Sequence, residues 1–229
     1  VGMGVFGVMS SNGSGDGIVV DGEVLEVNDL ASDGQLVNPI DWEAWTARNS
    51  DVYAWLVVPD TKVDLPILQH PLIDDYYLTH NIDGEPLIDG ALYTQLNYNS
   101  KDLTSDKVTV VYGHTFEEKD TMFSTLHELE DPTFFEEHPV FYVYTPTQRL
   151  EYEVVSAFDS DNKHILEARD MDDPAVVDEF FAMVQNPTTM NGNTRALEKP
   201  LSAADDHLLI LSTCTKPAND NARYWWWPC

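Results

Sequence analysis

Positive charge is scarce in this chain: 12 Lys and Arg face 40 Asp and Glu, for a formal net charge of −28. A surface that negative repels phosphate backbones and anionic lipid, which excludes nucleic acid as a partner. It also raises the cost of forming a thiolate, because every nearby carboxylate disfavours a second negative charge. Cysteine is scarcer still. Cys214 and Cys229 are the only two, too few for a disulfide framework. No run reaches the roughly 18 apolar residues that a membrane-spanning helix needs. There is no Walker loop and no G-x-S-x-G, which removes P-loop and α/β-hydrolase readings. Cys and His do not cluster at metal-site spacings, so neither a metal nor another cofactor is expected. The acidic runs "DSDN" and "MDDP" lack EF-hand spacing and read as solvated loops.

What is present describes a globular domain: 229 residues, 43% hydrophobic and 11% aromatic, are enough to bury a sizeable core. The opening "VGMGVFGVM" is apolar throughout and reads either as the tail of an N-terminal membrane anchor or as a leader or cloning remnant. Residues 10–38 are rich in Gly, Ser, Asp and Asn with little hydrophobic periodicity. The expected organisation is therefore a membrane-proximal remnant and flexible acidic tether over 1–38, followed by one folded domain over 39–229.

That domain is expected to be mainly β with helical insertions. "PIDWEAWTARN" (39–49) reads as a short helix. "YAWLVV" (53–58), "GALYTQL" (90–96), "KVTVVYG" (107–113), "VFYVYT" (140–145), "LEYEVVSAF" (150–158), "HLLILST" (207–213) and "ARYWWW" (222–227) read as strands. "TPTQR" is a hairpin turn. Helical patterns fall over 121–130 and 173–186, the latter with Val176, Val177, Phe180, Phe181 and Val184 on one face and Pro174 in the first turn. Many short strands with inserted helices indicate a decorated barrel or sandwich.

Two residues stand at equivalent places. Cys214 follows the apolar run "LLILST", and His114 follows "VTVVYG", each at the C-terminal end of an expected strand. A lone cysteine is ordinarily a small buried hydrophobe, and a lone histidine a packed or hydrogen-bonded one. His70, His80, His127, His138, His164 and His207 are read in that way. Shared placement at strand ends raises the interest of Cys214 and His114, because they converge if the two strands are neighbours. Arg223 follows on the next expected strand, where a permanently charged guanidinium could stabilise a thiolate, hold a carbonyl or offset an oxyanion.

These residues carry a resemblance. "LSTCT" followed by "NAR", together with "VVYGHT", resembles the motifs of sortases. "YAWLVVPDTKVDLPILQ", "DDYYLTHN", "VVYGHTFEEKDTMFSTLHELEDPTFFEEHP" and the helix at 173–186 are similar to class B members over about residues 39–224. The resemblance implies a sortase-type β-barrel with an N-terminal helix and a helix between the sixth and seventh strands. It also implies a cysteine transpeptidase at the outer face of a Gram-positive cell membrane, held there by a single N-terminal anchor. Such an enzyme cleaves the sorting signal of a surface protein through a thioacyl intermediate and passes the acyl group to a peptidoglycan amine. Alternatives are a pilus-assembling enzyme that uses a pilin lysine and a non-catalytic binding scaffold of the same fold. By motif position Cys214 is the nucleophile, His114 the general acid and Arg223 the oxyanion partner, with Ser212, Thr213 and Thr215 as substrate contacts. The ending "WWWPC" departs from the family pattern, and Cys229 is a possible disulfide partner for Cys214 that would block the nucleophile.

Overall fold

Strand-forming patterns recur from residue 53 onward, and a computed structural model of the chain joins them with its first residues into a closed barrel. It describes residues 2–10, 18–20, 23–25, 38–116, 118–160, 165–188 and 191–214. The strands are β1 (Gly2–Ser10), β2 (Ile18–Val20), β3 (Glu23–Leu25), β4 (Val52–Val57), β5 (Asp64–Leu68), β6 (Leu92–Tyr93), β7 (Val108–Tyr112), β8 (Val140–Tyr144), β9 (Arg149–Ser160), β10 (Gly192–Thr194) and β11 (Asp206–Cys214). Eight of them follow one another around the barrel in the order β1, β11, β7, β6, β5, β4, β8, β9, and pairing of β9 with β1 closes it. The long β9 also carries β10 beside its Ser156–Phe158 stretch.

Burial explains the composition of the central strands. On β1, Met3 and Val5 point into the barrel core, whereas Phe6 and Val8 join a second cluster beneath a helix on the outside. β11 divides in the same way, with Leu209 and Leu211 inside and Leu208 and Ile210 outside. A strand covered on both faces reads as a continuous apolar run rather than an alternating one. That corrects the reading of the first nine residues. They were expected to be an anchor tail or a leader, and in this structure Gly2–Ser10 is a barrel strand held between β11 and β9. The boundary expected at residue 38 therefore does not separate the barrel from everything before it. Within the expected tether, β2 and β3 form a two-stranded pair; the remainder of 11–37 lies outside the described residues.

Helices start at the caps the sequence offers. α1 (Trp42–Arg48) is capped by Asp41, which accepts from the Ala44 N–H at 3.0 Å. Asp131 caps α2 (Pro132–Glu137), and Asp173 caps α3 (Pro174–Gln185), each of which has proline in its first turn. Val177, Phe180, Phe181 and Val184 of α3 pack on the outer cluster with Phe6 and Phe158, whose rings stack at 4.5 Å. The hairpin turn expected at "TPTQR" joins β8 to β9, and Thr145 N–H donates to the Gln148 carbonyl at 2.8 Å. The stretch expected to be helical over 121–130 is a 3₁₀ helix over Ser124–Glu130. Phe123, Leu126 and Leu129 are buried at intervals of three, which suits three residues per turn. Among the described residues no helix is long and apolar enough to cross a membrane.

Gly7 offers a direct test of β1. A Cβ there would lie 2.3 Å from the Phe141 ring and 3.0 Å from Tyr152 Cβ. Gly7→Ala is expected to lower unfolding stability by about 1–3 kcal/mol through overpacking. Denaturant titration checks it; an unchanged midpoint would place the segment outside the barrel.

Candidate active site at the ends of β7 and β11

β7 and β11 are parallel neighbours, registered from Leu208 opposite Val108 to Ser212 opposite Tyr112. The ladder continues one step further, with Gly113 N–H donating to the Ser212 carbonyl at 3.1 Å. β7 ends at Tyr112, two residues before His114, whereas β11 runs two residues past Ser212 to its last position, Cys214. Parallel register thus brings together the two backbone positions singled out in the sequence, while β1 lies on the other side with Gly2 opposite Cys214.

Glycine is required immediately before His114. A Cβ on Gly113 would meet Leu92 Cδ2 at 2.5 Å and Phe123 Cδ2 at 2.6 Å. The backbone passes through this gap so closely that the His114 carbonyl accepts from Phe123 N–H at 2.9 Å. The His114 ring is half-buried against Phe116, and its Nε2 lies 2.7 Å from the Leu78 carbonyl. A carbonyl can only accept, so Nε2 carries the proton and Nδ1 is the nitrogen left for acid–base work. Lys119 stands over the Phe116 ring at 4.9 Å and pairs with Asp89 at 2.8 Å, placing one of the chain's few cations beside this corner. Tyr112, stacked on Tyr93 at 5.4 Å, is no base: burial first, and the charge of Asp75 second, push its hydroxyl well above the ordinary tyrosine range.

Ser212 supplies the carbonyl that extends the ladder. Thr213 is buried, and its hydroxyl lies 2.8 Å from that of Thr115. Thr115 in turn is 3.2 Å from His127 Nε2, and His127 Nδ1 is bonded to Glu130. These three residues are absent from the sequence-derived site, where His127 is read as a packing histidine. The i, i+3 pair His127/Glu130 was the available signal, once the segment is known to be 3₁₀. Thr215, Arg223 and Cys229 lie outside the described residues, as does the expected last strand over 222–227. Among the described residues no three His, Cys, Asp or Glu side chains are grouped to hold a metal ion.

Comparison with known proteins bears on this arrangement. Residues 56–227 match the family model of the sortase domain, three quarters of the chain. The chain belongs to the sortase family. It is similar to Sortase B of Listeria monocytogenes, 26% identical over 166 residues, covering 72% of this chain and 63% of that protein. Sortase B of Staphylococcus aureus is 23% identical over 182 residues, covering 80% and 70%. The chain thus spans somewhat under two thirds of the Listeria relative. Among solved structures, Clostridium perfringens sortase B aligns with a TM-score of 0.61 at 21% identity, over 76% of this chain and 90% of that one. A Staphylococcus aureus sortase B–substrate complex aligns at 0.61 and 19%, over 78% of each. At such identities the structural likeness establishes the fold, and the sortases it resembles are of class B.

For this sortase, Gly113→Ala is expected to lower unfolding stability by about 1–3 kcal/mol and to shift the NMR resonances of the His114 ring. Unchanged imidazole signals in the variant would show that the close approach does not position His114.

Proposed function

We propose that this sortase is a cysteine transpeptidase that cleaves the C-terminal sorting signal of secreted proteins and joins the acyl product to a cell-wall amine. The observation that supports it most is the parallel register of β7 and β11, which brings the C-terminal ends of the two strands, just before His114 and at Cys214, to the same side of the barrel. The Cys214 thiolate attacks the scissile amide carbonyl, and the resulting oxyanion is met by Arg223. Collapse expels the amine, which takes its proton from His114, and leaves a thioester on Cys214. The acceptor amine, relieved of a proton by the now neutral His114, then attacks the thioester and expels the Cys214 thiolate, restoring the starting pair. With Nε2 held by the Leu78 carbonyl, Nδ1 is the atom that gives and regains this proton. Ser212, Thr213 and Thr215 contact the substrate around the nucleophile. The expected setting is the outer face of the cell membrane, where the acceptor is a peptidoglycan precursor. No step calls for a cofactor.

Mass spectrometry of the protein incubated with sorting peptides and amine acceptors tests the reading. A thioacyl adduct on Cys214 and a transpeptidated product are expected, and both should vanish in Cys214→Ala. His114→Ala should lower turnover by about 10²–10⁴-fold, the usual worth of a positioned general acid. Turnover that survives loss of Cys214 would overturn the assignment.

A further inference from the structure

Four side chains form a continuous hydrogen-bonded line from the protein surface to the residue before Cys214. Glu130 is more than half exposed at one end, His127 is buried behind it, and Thr115 and Thr213 complete the line. The donors in this line follow from chemistry. An ionised carboxylate only accepts, so His127 Nδ1 carries a proton that it donates to Glu130. When the ring is neutral its Nε2 is bare, and only the Thr115 hydroxyl can donate to it at 3.2 Å. With its proton given to His127, Thr115 can only accept from the Thr213 hydroxyl at 2.8 Å.

The line is held rigidly at both ends of its 3₁₀ segment. At the start, Phe123 N–H donates to the His114 carbonyl and Phe116 N–H donates to Ser124 Oγ at 2.9 Å. At the finish, the Asn193 amide of β10 donates to the Leu129 carbonyl at 2.8 Å and the Glu130 carbonyl at 3.1 Å. His127 is thereby kept on the side of the segment that meets Thr115.

We propose that Glu130, His127 and Thr115 are positioning residues that commit the Thr213 hydroxyl proton inward, so that Thr213 presents only lone pairs to the bound sorting signal. Thr213 then accepts from an N–H of the substrate backbone and contributes nothing to the oxyanion, which falls to Arg223 and main-chain donors. What Thr213 touches rests on the transpeptidase reading above; the direction of the line does not.

Two measurements keep these apart. Nitrogen-15 NMR of the imidazoles at about pH 8, above the ordinary histidine range, with His127 assigned by loss of its signals in His127→Asn, reads the tautomer. A proton on Nδ1 and none on Nε2 is expected; a proton on Nε2 reverses the line and overturns the proposal. Thr115→Val keeps the branched shape but removes the hydroxyl, and should lower kcat/KM for peptide acylation about tenfold, mainly through KM, as loss of one buried hydrogen bond does. Thr115→Ser should restore it to within about twofold, with melting temperatures of both variants near that of the parent. Equal loss in the two variants, or none in Thr115→Val, would also overturn it. The tautomer decides the line even if the parent protein forms no thioacyl adduct, an outcome that sinks the transpeptidase reading alone.

Discussion

Two buried strands far apart in the chain, β7 and β11, run side by side in one direction, and a parallel pair can be joined only by a long crossover. Everything between them serves that crossover. α2 and β8 lead the chain away, β9 brings it back across the barrel, and α3 covers the outer face before β11 begins. Because the pairing is parallel and in register, both C-terminal ends lie at one rim of the barrel, where a side chain can meet a substrate. An antiparallel pairing of the same strands would have sent His114 and Cys214 to opposite ends. The chemistry at this site is therefore a consequence of strand direction before it is a consequence of any single residue.

β1 gives that pair its other boundary. It pairs with β11 along nine positions and with β9 on its far side, so the barrel closes through it. Its glycines permit the closeness: Gly7 leaves room for the Phe141 ring, which stacks on Tyr152 inside the core. Arg195 ties the neighbouring wall together by donating to the carbonyls of Val154 and Phe135 and pairing with Glu136. In a chain with so few cations, this one holds a seam of backbone carbonyls rather than the surface.

Most of the barrel was legible in the sequence because β-branched and aromatic runs bounded by turn residues are a local signal. Val52–Val57, Val108–Tyr112, Val140–Tyr144 and the long β9 all fall where those runs predict. The failures have physical causes. β5 contains Pro66 and an exposed start at Asp64, so its run is too interrupted to read as a strand. β10 is three polar residues paired only to β9. β1 misled because burial on two faces erases alternation and leaves a composition shared with membrane segments. Of the candidate site, His114 and Cys214 could be read from their places after apolar runs. Thr115, His127 and Glu130 could not, because their link to Thr213 spans 98 residues of chain and depends on the 3₁₀ turn.

That link bears on how a strongly acidic protein can order the polar side chains beside Cys214. A fixed cation next to each polar group would be one solution, but with 12 Lys and Arg for 40 Asp and Glu it is in short supply. A line of neutral hydroxyls and a ring needs no net charge. Its direction is set by one carboxylate at the surface, and each member constrains the next because a hydroxyl has a single proton to give. Glu130 is one of many acids on this protein, yet it is the one whose position makes His127 an acceptor and, two bonds further on, leaves Thr213 with no proton to offer. The acidic surplus that makes a thiolate costly is here also the source of the order beside it.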